Sequence, residues 1–189
     1  MDFDYYMFDK VCRQLEEWKG TTMEDISLSC NVSRITLSER DFVEKISEIA
    51  SKYDFNREKL TIEITEEAME ANRERAMANV AHCRNLGFKF ALDDLGSGYT
   101  SLINLCEYPI DVVKIDRDIF LRTDKQSGKN LFQGIVALAH KLSLKVVCEG
   151  VEDTEQYEFV SSTHCDYIQG WYFSRAIPVG EAVEFAESF

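Results

Sequence analysis

The sequence predicts an α/β fold in which parallel strands alternate with helices. Short β-branched or apolar runs alternate with segments of helical periodicity along most of the 189 residues. The connections between these segments are short, a pattern typical of parallel strands joined by right-handed crossovers. No linker or low-complexity stretch interrupts the alternation, so we expect a single domain over residues 1–189.

The predicted elements follow one another in a regular order. An opening amphipathic helix is predicted from apolar residues at spacings of three and four, namely Phe3, Met7, Val11, Leu15 and Trp18. Six strands are predicted at 26–33, 60–65, 88–92, 111–116, 145–149 and 167–173. Helices are predicted around Phe42 to Ile49, with Ser38 and Asp41 as a capping box, and then at 67–86, at 131–142, from 154 and from 180.

Every predicted strand ends in a polar or charged side chain. The densest end is Asp93 with Asp94, two adjacent carboxylates that repel each other and lose water when the sheet packs. The other strand ends carry Asn31, Glu63, Lys114, Glu149 and Gln169. Carboxylate and amide oxygens are the ligands of hard cations, so the set predicts a site for Mg²⁺ or Mn²⁺.

Two architectures can accommodate six parallel strands. An open doubly wound sheet usually has a glycine-rich phosphate turn after its first strand, and no G-x-G-x-x-G motif occurs in this sequence. A (β/α)8 barrel collects functional groups at the C-terminal ends of many strands, as this sequence does. A barrel usually needs about 250 residues. The 189 residues of this chain fall short of that length.

Several of these polar residues also have an ordinary explanation. Asn31 or Gln169, taken singly, would serve equally well as a helix cap or as a solvent-facing residue. Lys114 among carboxylates can simply balance their charge. In a hydrolytic site, the same ammonium can instead hold the attacking water while metal ions neutralise phosphoryl oxygens.

Composition excludes several classes of function. The formal net charge of −13 disfavours binding to a nucleic-acid polymer, which requires Lys and Arg to replace phosphate counterions. The apolar runs are far shorter than the roughly 18 residues of a membrane span, and we expect a cytoplasmic protein. The six cysteines show no paired spacing, so we expect reduced, buried thiols and no zinc site.

The motifs together resemble the EAL domain family, whose active members are cyclic di-GMP phosphodiesterases. The resemblance covers nearly the whole chain and rests on the order and spacing of Asn31-Val32-Ser33, Glu63-Ile64-Thr65-Glu66, residues 93–101, Lys114-Ile115-Asp116, Glu149-Gly150-Val151-Glu152 and Gln169-Gly170-Trp171. It implies a TIM-type (β/α) barrel of the EAL type. It also implies two bound metal ions and a bacterial second messenger, cyclic di-GMP, as the substrate.

The resemblance also implies roles for individual residues. Asn31, Glu63 and Asp93 would ligate one metal ion, and Asp93, Asp94 and Glu149 a second. Lys114 and Gln169 would position the attacking water, with Glu149 in the catalytic set. Residues that support the loop or the ligands would be Glu66, Glu152, Gly96 and Gly98. Gln169, Arg175 and Pro178 would contact the substrate, and the product would be linear pGpG.

The sequence departs from the family pattern in one important way. No Glu-Ala-Leu tripeptide occurs anywhere in the 189 residues, although that tripeptide supplies a metal ligand in the family. We therefore expect an incomplete barrel with the first strands missing, and little or no turnover by this chain alone. Milder departures are Leu95 for phenylalanine, Ser97 and Thr100 for threonine and serine, and Ala176 for proline.

Three interpretations remain open at this level. The chain is the bulk of a two-metal phosphodiesterase, or a non-catalytic module that binds a partner protein or a nucleotide, or a fragment of a longer protein. In the second case a partner or a second copy, as in a homo-oligomer, could add strands to an open sheet edge. In the third, sensory or GGDEF domains would lie upstream.

Overall fold

The computed structural model describes residues 3–96 and 103–188. The chain divides into two compact units, one formed by Met1–Phe90 with Ala176–Phe189 and the other by Ala91–Arg175. The expectation of a single domain remains a prediction.

The first unit contains two parallel strands and most of the helices. Its elements are α1 (Phe3–Trp18), β1 (Leu28–Asn31), α2 (Arg34–Leu37), α3 (Phe42–Ala50), β2 (Leu60–Thr65), α4 (Glu66–Ala71), α5 (Arg73–Asn85) and α9 (Val179–Glu187). Strands β1 and β2 are parallel, with Leu28 opposite Leu60 and Asn31 opposite Glu63. The carboxyl ends of these two strands therefore present Asn31 and Glu63 at the same level of the sheet.

Helix α1 has the predicted bounds but buries a different face from the one predicted. Leu15 and Trp18 are buried as expected, whereas Phe3 is 71% exposed and Met7 36% exposed. The buried face instead continues through Tyr5, Phe8 and Cys12. The Tyr5 hydroxyl donates to Glu39 Oε2 at 2.8 Å, and the Phe8 ring meets the Phe88 ring edge-on at 5.6 Å. These partners, distant in sequence, select one of two overlapping apolar faces.

Two further local predictions for this unit were wrong. The single helix predicted over 67–86 is two helices, because Asn72 adopts a non-helical conformation with φ −149° between α4 and α5. The capping box of Ser38 and Asp41 does not form. Ser38 instead ends α2, where its backbone N–H donates to Ile35 and Thr36, and Asp41 makes no side-chain cap.

The second unit contains the remaining strands. Its elements are β4 (Val112–Ile115), α6 (Arg117–Phe120), α7 (Gln126–Lys141), β5 (Lys145–Cys148), α8 (Thr154–Ser162) and β6 (Tyr167–Ile168), and it also holds most of β3 (Lys89–Leu95). These strands are parallel and lie in the order β3-β4-β5-β6. Val113, Ile115, Val146 and Cys148 are fully buried, as expected for parallel strands covered on both faces.

Strand β6 is much shorter than predicted. The expected strand over 167–173 ends at Ile168, because the following residues turn around Val151. The Val151 N–H donates to the Gln169 carbonyl, and the Tyr172 N–H donates to the Val151 carbonyl. Gly170 lies so close to Val151 that an added Cβ would be 2.0 Å from its carbonyl oxygen. The chain therefore leaves the sheet immediately after the second residue of β6.

The cysteines and histidines differ in their exposure to solvent. Cys12, Cys30, Cys83 and Cys148 are buried free thiols, while Cys165 is partly buried and Cys106 is exposed. His82, His140 and His164 are exposed. None of the helices in the described ranges has the length and apolar character needed to span a lipid bilayer.

Candidate metal centre

Three carboxylates meet at the carboxyl ends of β3 and β5 in the second unit. Asp93, Asp94 and Glu149 each offer one oxygen, and these oxygens lie within 4.8 Å of one another. All three residues are partly buried. An all-oxygen donor set of this size suits Mg²⁺ or Mn²⁺, because both ions prefer carboxylate ligands. The donor chemistry therefore fits the hard cation expected from the sequence.

A β-bulge allows two consecutive carboxylates to serve one site. In a regular strand, successive side chains point to opposite faces of the sheet. Between β3 and β4 the register shifts, since Leu92 pairs with Val113 and Leu95 with Ile115, which leaves one extra residue on β3. Asp94 adopts φ +56° in this bulge, a left-handed conformation that is uncommon outside glycine. The Asp94 N–H donates to Asp93 Oδ1 at 3.1 Å.

Lys114 lies between the acidic strands. It is the third residue of β4, and its Nζ lies 2.9 Å from Asp93 Oδ1 and 2.8 Å from Glu149 Oε1. The Lys114 side chain is only 6% exposed, whereas Asp93 and Glu149 are 15% and 20% exposed. The Lys114 ammonium offsets only one of the two negative charges that it contacts, so the cluster keeps a net negative charge that a metal cation would neutralise.

Gln169 is next to Glu149 through backbone hydrogen bonds. Its N–H donates to the Cys148 carbonyl at 2.8 Å, and its own carbonyl accepts from Val151 at 3.2 Å. The segment on either side of Glu149 is therefore tied to Gln169. Burial raises the pKa of the Cys148 thiol well above its usual range, so this neighbour of Glu149 stays protonated and is a poor metal ligand at neutral pH.

Glu152 has a partner that the sequence did not indicate. Its Oε1 accepts from Arg117 Nη2 at 2.7 Å, with both side chains partly exposed. Arg117 begins α6, three residues after Lys114. Arg117 was not predicted as a functional residue. Its position, as a basic residue shortly after the strand end that carries Lys114, could have indicated such a role.

The remaining predicted residues lie in the first unit or near its boundary. Asn31 is exposed, and the register partner Glu63 is 8% exposed. Glu66 begins α4 and is 6% exposed. Pro178 precedes the first residue of α9 and is exposed. The strand register places Asn31 and Glu63 side by side in the first unit.

Arg175 and the glycines of the loop after β3 are the last of the predicted site residues. The Arg175 guanidinium lies 4.3 Å from the centre of the Trp171 ring, in a cation–π contact on the exposed side of the chain after β6. Gly96 turns with φ +98°, as expected for a tight loop. Gly98, predicted to support the same loop, lies outside the described residues.

Comparison with known proteins agrees with this arrangement. The family profile described as "EAL domain" matches residues 1–176. The cyclic di-GMP phosphodiesterase NbdA of Pseudomonas aeruginosa is 30% identical over 187 residues, which cover 98% of this chain and 24% of NbdA. This chain spans about a quarter of the length of the curated relatives that it matches.

Solved structures show the same fold. The EAL domain of Mycobacterium smegmatis DcpA superposes with a TM-score of 0.89 at 26% identity, covering 98% of this chain and 85% of that one. The PaMucR phosphodiesterase in complex with c-di-GMP superposes with a TM-score of 0.87 at 26% identity, covering 94% of this chain and 72% of that one. The predicted TIM-type barrel fold of the EAL type is thereby confirmed. This chain belongs to the EAL domain family.

Proposed function

We propose that this chain is the greater part of a two-metal phosphodiesterase site that hydrolyses cyclic di-GMP to linear pGpG. The observation that supports it most strongly is the cluster of Asp93, Asp94 and Glu149 with Lys114 between the strands. Relatives named as cyclic di-GMP phosphodiesterases support the substrate. The six free cysteines are compatible with a cytoplasmic location, which we include in the proposal.

The proposed ligands follow the family pattern. Asp93, Asp94 and Glu149 would hold one Mg²⁺ or Mn²⁺ ion, and Asp93 would share a second ion with Asn31 and Glu63. When bound, the ions would neutralise the phosphoryl oxygens and lower the pKa of the attacking water. Asp93 is the shared ligand in this scheme, so its loss should abolish both ion sites together.

The remaining residues act on water and substrate in this proposal. The attacking water adds to phosphorus and the bond to O3′ breaks, which leaves the 5′-phosphate of pGpG and a protonated 3′-hydroxyl. Lys114 and Gln169 would orient that water, and the position of Nζ beside two carboxylates supports this role for Lys114. Arg175 and Pro178 would contact the dinucleotide, and Glu66 and Glu152 would steady the ligands.

The absence of a Glu-Ala-Leu tripeptide from the sequence supports a second candidate function. Under this alternative the chain binds cyclic di-GMP without hydrolysing it, or it binds a partner protein. A partner, a second copy of the chain, or an upstream GGDEF or sensory domain would then complete or regulate the site. The first candidate and the nucleotide-binding form of the second both predict binding of cyclic di-GMP, and they differ in turnover.

A direct assay separates the two candidates. Cyclic di-GMP is incubated with the chain and Mg²⁺ or Mn²⁺, pGpG is measured by chromatography, and binding is measured by calorimetry in Ca²⁺. We expect binding with little turnover, and turnover when the chain is extended upstream. Rapid hydrolysis by the chain alone, lost in Asp93→Asn, would show that it needs no further ligand. An extended form that binds without cutting would favour the non-catalytic module.

The matched control for Asp93→Asn is Asp118→Asn. Asp118 is an exposed acid on α6, outside the carboxylate cluster. The same change of charge at this position should leave both binding and hydrolysis unchanged. If Asp118→Asn and Asp93→Asn behave alike, net charge and not the cluster explains the effect, and the proposal is wrong.

A further inference from the structure

The four-residue helix α6 lies against both turns that leave the acidic strands. Gly96 is two residues after Asp94, and an added Cβ on it would lie 2.1 Å from Ile119 Cδ1. Gly150 directly follows Glu149, and an added Cβ on it would lie 2.7 Å from Arg117 Cγ. The side chains of Ile119 and Arg117 therefore contact the backbone of one turn each.

These contacts require both glycines. Gly96 has φ +98° and Gly150 has φ +75°, values at which any other residue is strained. Glycine thus serves two purposes here, because it permits the turn and also leaves room for a side chain of α6. The same two turns hold the strand ends that carry Asp94 and Glu149, so a shift of either turn would move a carboxylate.

A third contact connects α6 to the segment that follows β5. Arg117 Nη2 lies 2.7 Å from Glu152 Oε1, in the segment that follows Gly150. The two side chains are 47% and 35% exposed, and a pair this exposed adds little to stability. Its contribution would be to hold the position of the segment after Glu149.

Helix α6 is itself anchored in the second unit. Phe120 is 1% exposed, and its ring packs edge-on against Phe132 at 6.1 Å. The Asp116 side chain caps the helix by accepting from the Asp118 N–H at 2.6 Å. The Asp116 N–H also donates to the Leu95 carbonyl at 3.4 Å, between Asp94 and Gly96. The helix is therefore a fixed support and not a loose connection.

We propose that Ile119 and Arg117 are positioning residues, which fix the turns after β3 and β5 and so set the spacing of Asp93, Asp94 and Glu149 for metal binding. This inference rests on the proposed metal site. It extends that proposal, because it assigns a function to a helix that supplies no ligand. Residues that orient metal ligands from outside commonly change metal affinity by about 10- to 100-fold.

Mn²⁺ binding measured by electron paramagnetic resonance tests the inference without requiring turnover. The chain is titrated with Mn²⁺ and the signal of the free ion gives the dissociation constant. We expect Ile119→Ala and Arg117→Ala each to raise that constant by about tenfold or more. Arg117→Lys keeps the aliphatic stem against Gly150, so it should recover much of the affinity. The control Asp118→Ala, exposed on the same helix, should bind as the unaltered chain does.

Thermal unfolding in EDTA separates positioning from general damage. If Ile119→Ala unfolds, Ile119→Val is used, because it removes the Cδ1 atom nearest to Gly96 and little else. Unchanged Mn²⁺ affinity in folded Ile119→Val and Arg117→Ala would overturn this inference alone. An unaltered chain that binds no Mn²⁺ would overturn the proposed function and this inference together, so the two failures are distinguishable.

Discussion

The Lys114 ammonium lies 2.9 Å from Asp93 Oδ1, so the cation of β4 and the first carboxylate of the β3 bulge form one buried ion pair. The same ammonium reaches Glu149 Oε1 on the other side. Ion pairs therefore link β3, β4 and β5 at their carboxyl ends. In the absence of a bound metal ion, Lys114 supplies the positive charge that these carboxylates require.

Lys114→Met should destabilise the metal-free chain. The methionine keeps the length of the side chain but leaves Asp93 and Glu149 without their shared cation. Breaking a fully buried pair costs about 3–5 kcal/mol. We expect about 2 kcal/mol or more here, because the carboxylates retain some exposure. Thermal unfolding in EDTA measures the loss.

Metal should then restore more stability to Lys114→Met than to the unaltered chain, because the ion would neutralise carboxylates that have lost their ammonium. The measurement is the rise in Tm between EDTA and saturating Mn²⁺. The exposed Lys125→Met is the control, since Lys125 lies outside the carboxylate cluster. An equal rise in Tm for all three proteins would contradict the assigned role of Lys114.

Asp166 predicts a pH dependence of stability at the opposite end of β5. Burial acts to raise its pKa, but hydrogen bonds from Lys145, His140 and the Val146 N–H outweigh it and lower the pKa to about 2. Because the folded pKa lies below the unfolded value, the stabilisation is fully present above about pH 4 and is lost as pH falls toward 2. The Lys145 side chain is largely exposed, so solvent screens the pair and we expect the loss to be about 1 kcal/mol.

Urea unfolding at pH 6 and pH 3 tests this assignment. Asp166→Asn should reduce stability at pH 6 and weaken the dependence on pH between the two conditions. Glu158→Gln, an exposed change of the same kind on α8, is the control and should retain the pH dependence. A variant Asp166→Asn that loses as much stability on acidification as the unaltered chain would contradict the prediction.

Gly170 should be intolerant of even a methyl group. An added Cβ would lie 2.0 Å from the Val151 carbonyl oxygen and 2.5 Å from its nitrogen, and backbone cannot move aside as a flexible side chain can. We expect Gly170→Ala to cost about 1–3 kcal/mol in the free energy of unfolding. Gly180→Ala in α9 is the control, because an added Cβ there meets nothing within 4 Å. Similar unfolding midpoints for the two variants would show that the turn around Val151 relaxes freely.

Trp171 should affect substrate affinity through Arg175. Its exposed ring holds the guanidinium at 4.3 Å, and an exposed cation–π contact is worth about 0.5–1 kcal/mol. If Arg175 contacts cyclic di-GMP, Trp171→Leu should weaken binding by roughly two- to fivefold. Calorimetry with cyclic di-GMP measures the change, with Leu131→Ala on the exposed face of α7 as the control. Unchanged affinity for cyclic di-GMP in Trp171→Leu would show that the Trp171 ring does not contribute to binding.

Much of the fold was predictable because its signals are local. Alternating strand and helix patterns gave the parallel arrangement, and polar residues at strand ends indicated one functional edge. From these patterns, Asn31, Glu63, Lys114 and the carboxylates were predicted only as strand-end residues. The strand register then places Asn31 opposite Glu63, and Lys114 between Asp93 and Glu149. Parallel strands bring such residues to one level of the sheet whatever the details of packing.

The errors arose where distant contacts choose between local options. The two overlapping apolar faces of α1 satisfy the same periodicity, and Glu39 and Phe88 decide between them. The break at Asn72 interrupts a run with no glycine or proline. Strand β6 ends early, at Ile168, because the residues after it bond to Val151, which lies seventeen residues earlier in the sequence. Local sequence carries no record of such contacts.

The sequence by itself determined the family, the parallel α/β pattern and the residue types of the candidate metal centre, because these depend on periodicity and on motifs of fixed spacing. Only the tertiary structure decided how the carboxylates are used. The bulge and the left-handed Asp94 turn two consecutive aspartates toward Glu149, and Lys114 and α6 hold them there. These features depend on the register between strands and on side chains brought together by folding, which no local pattern specifies.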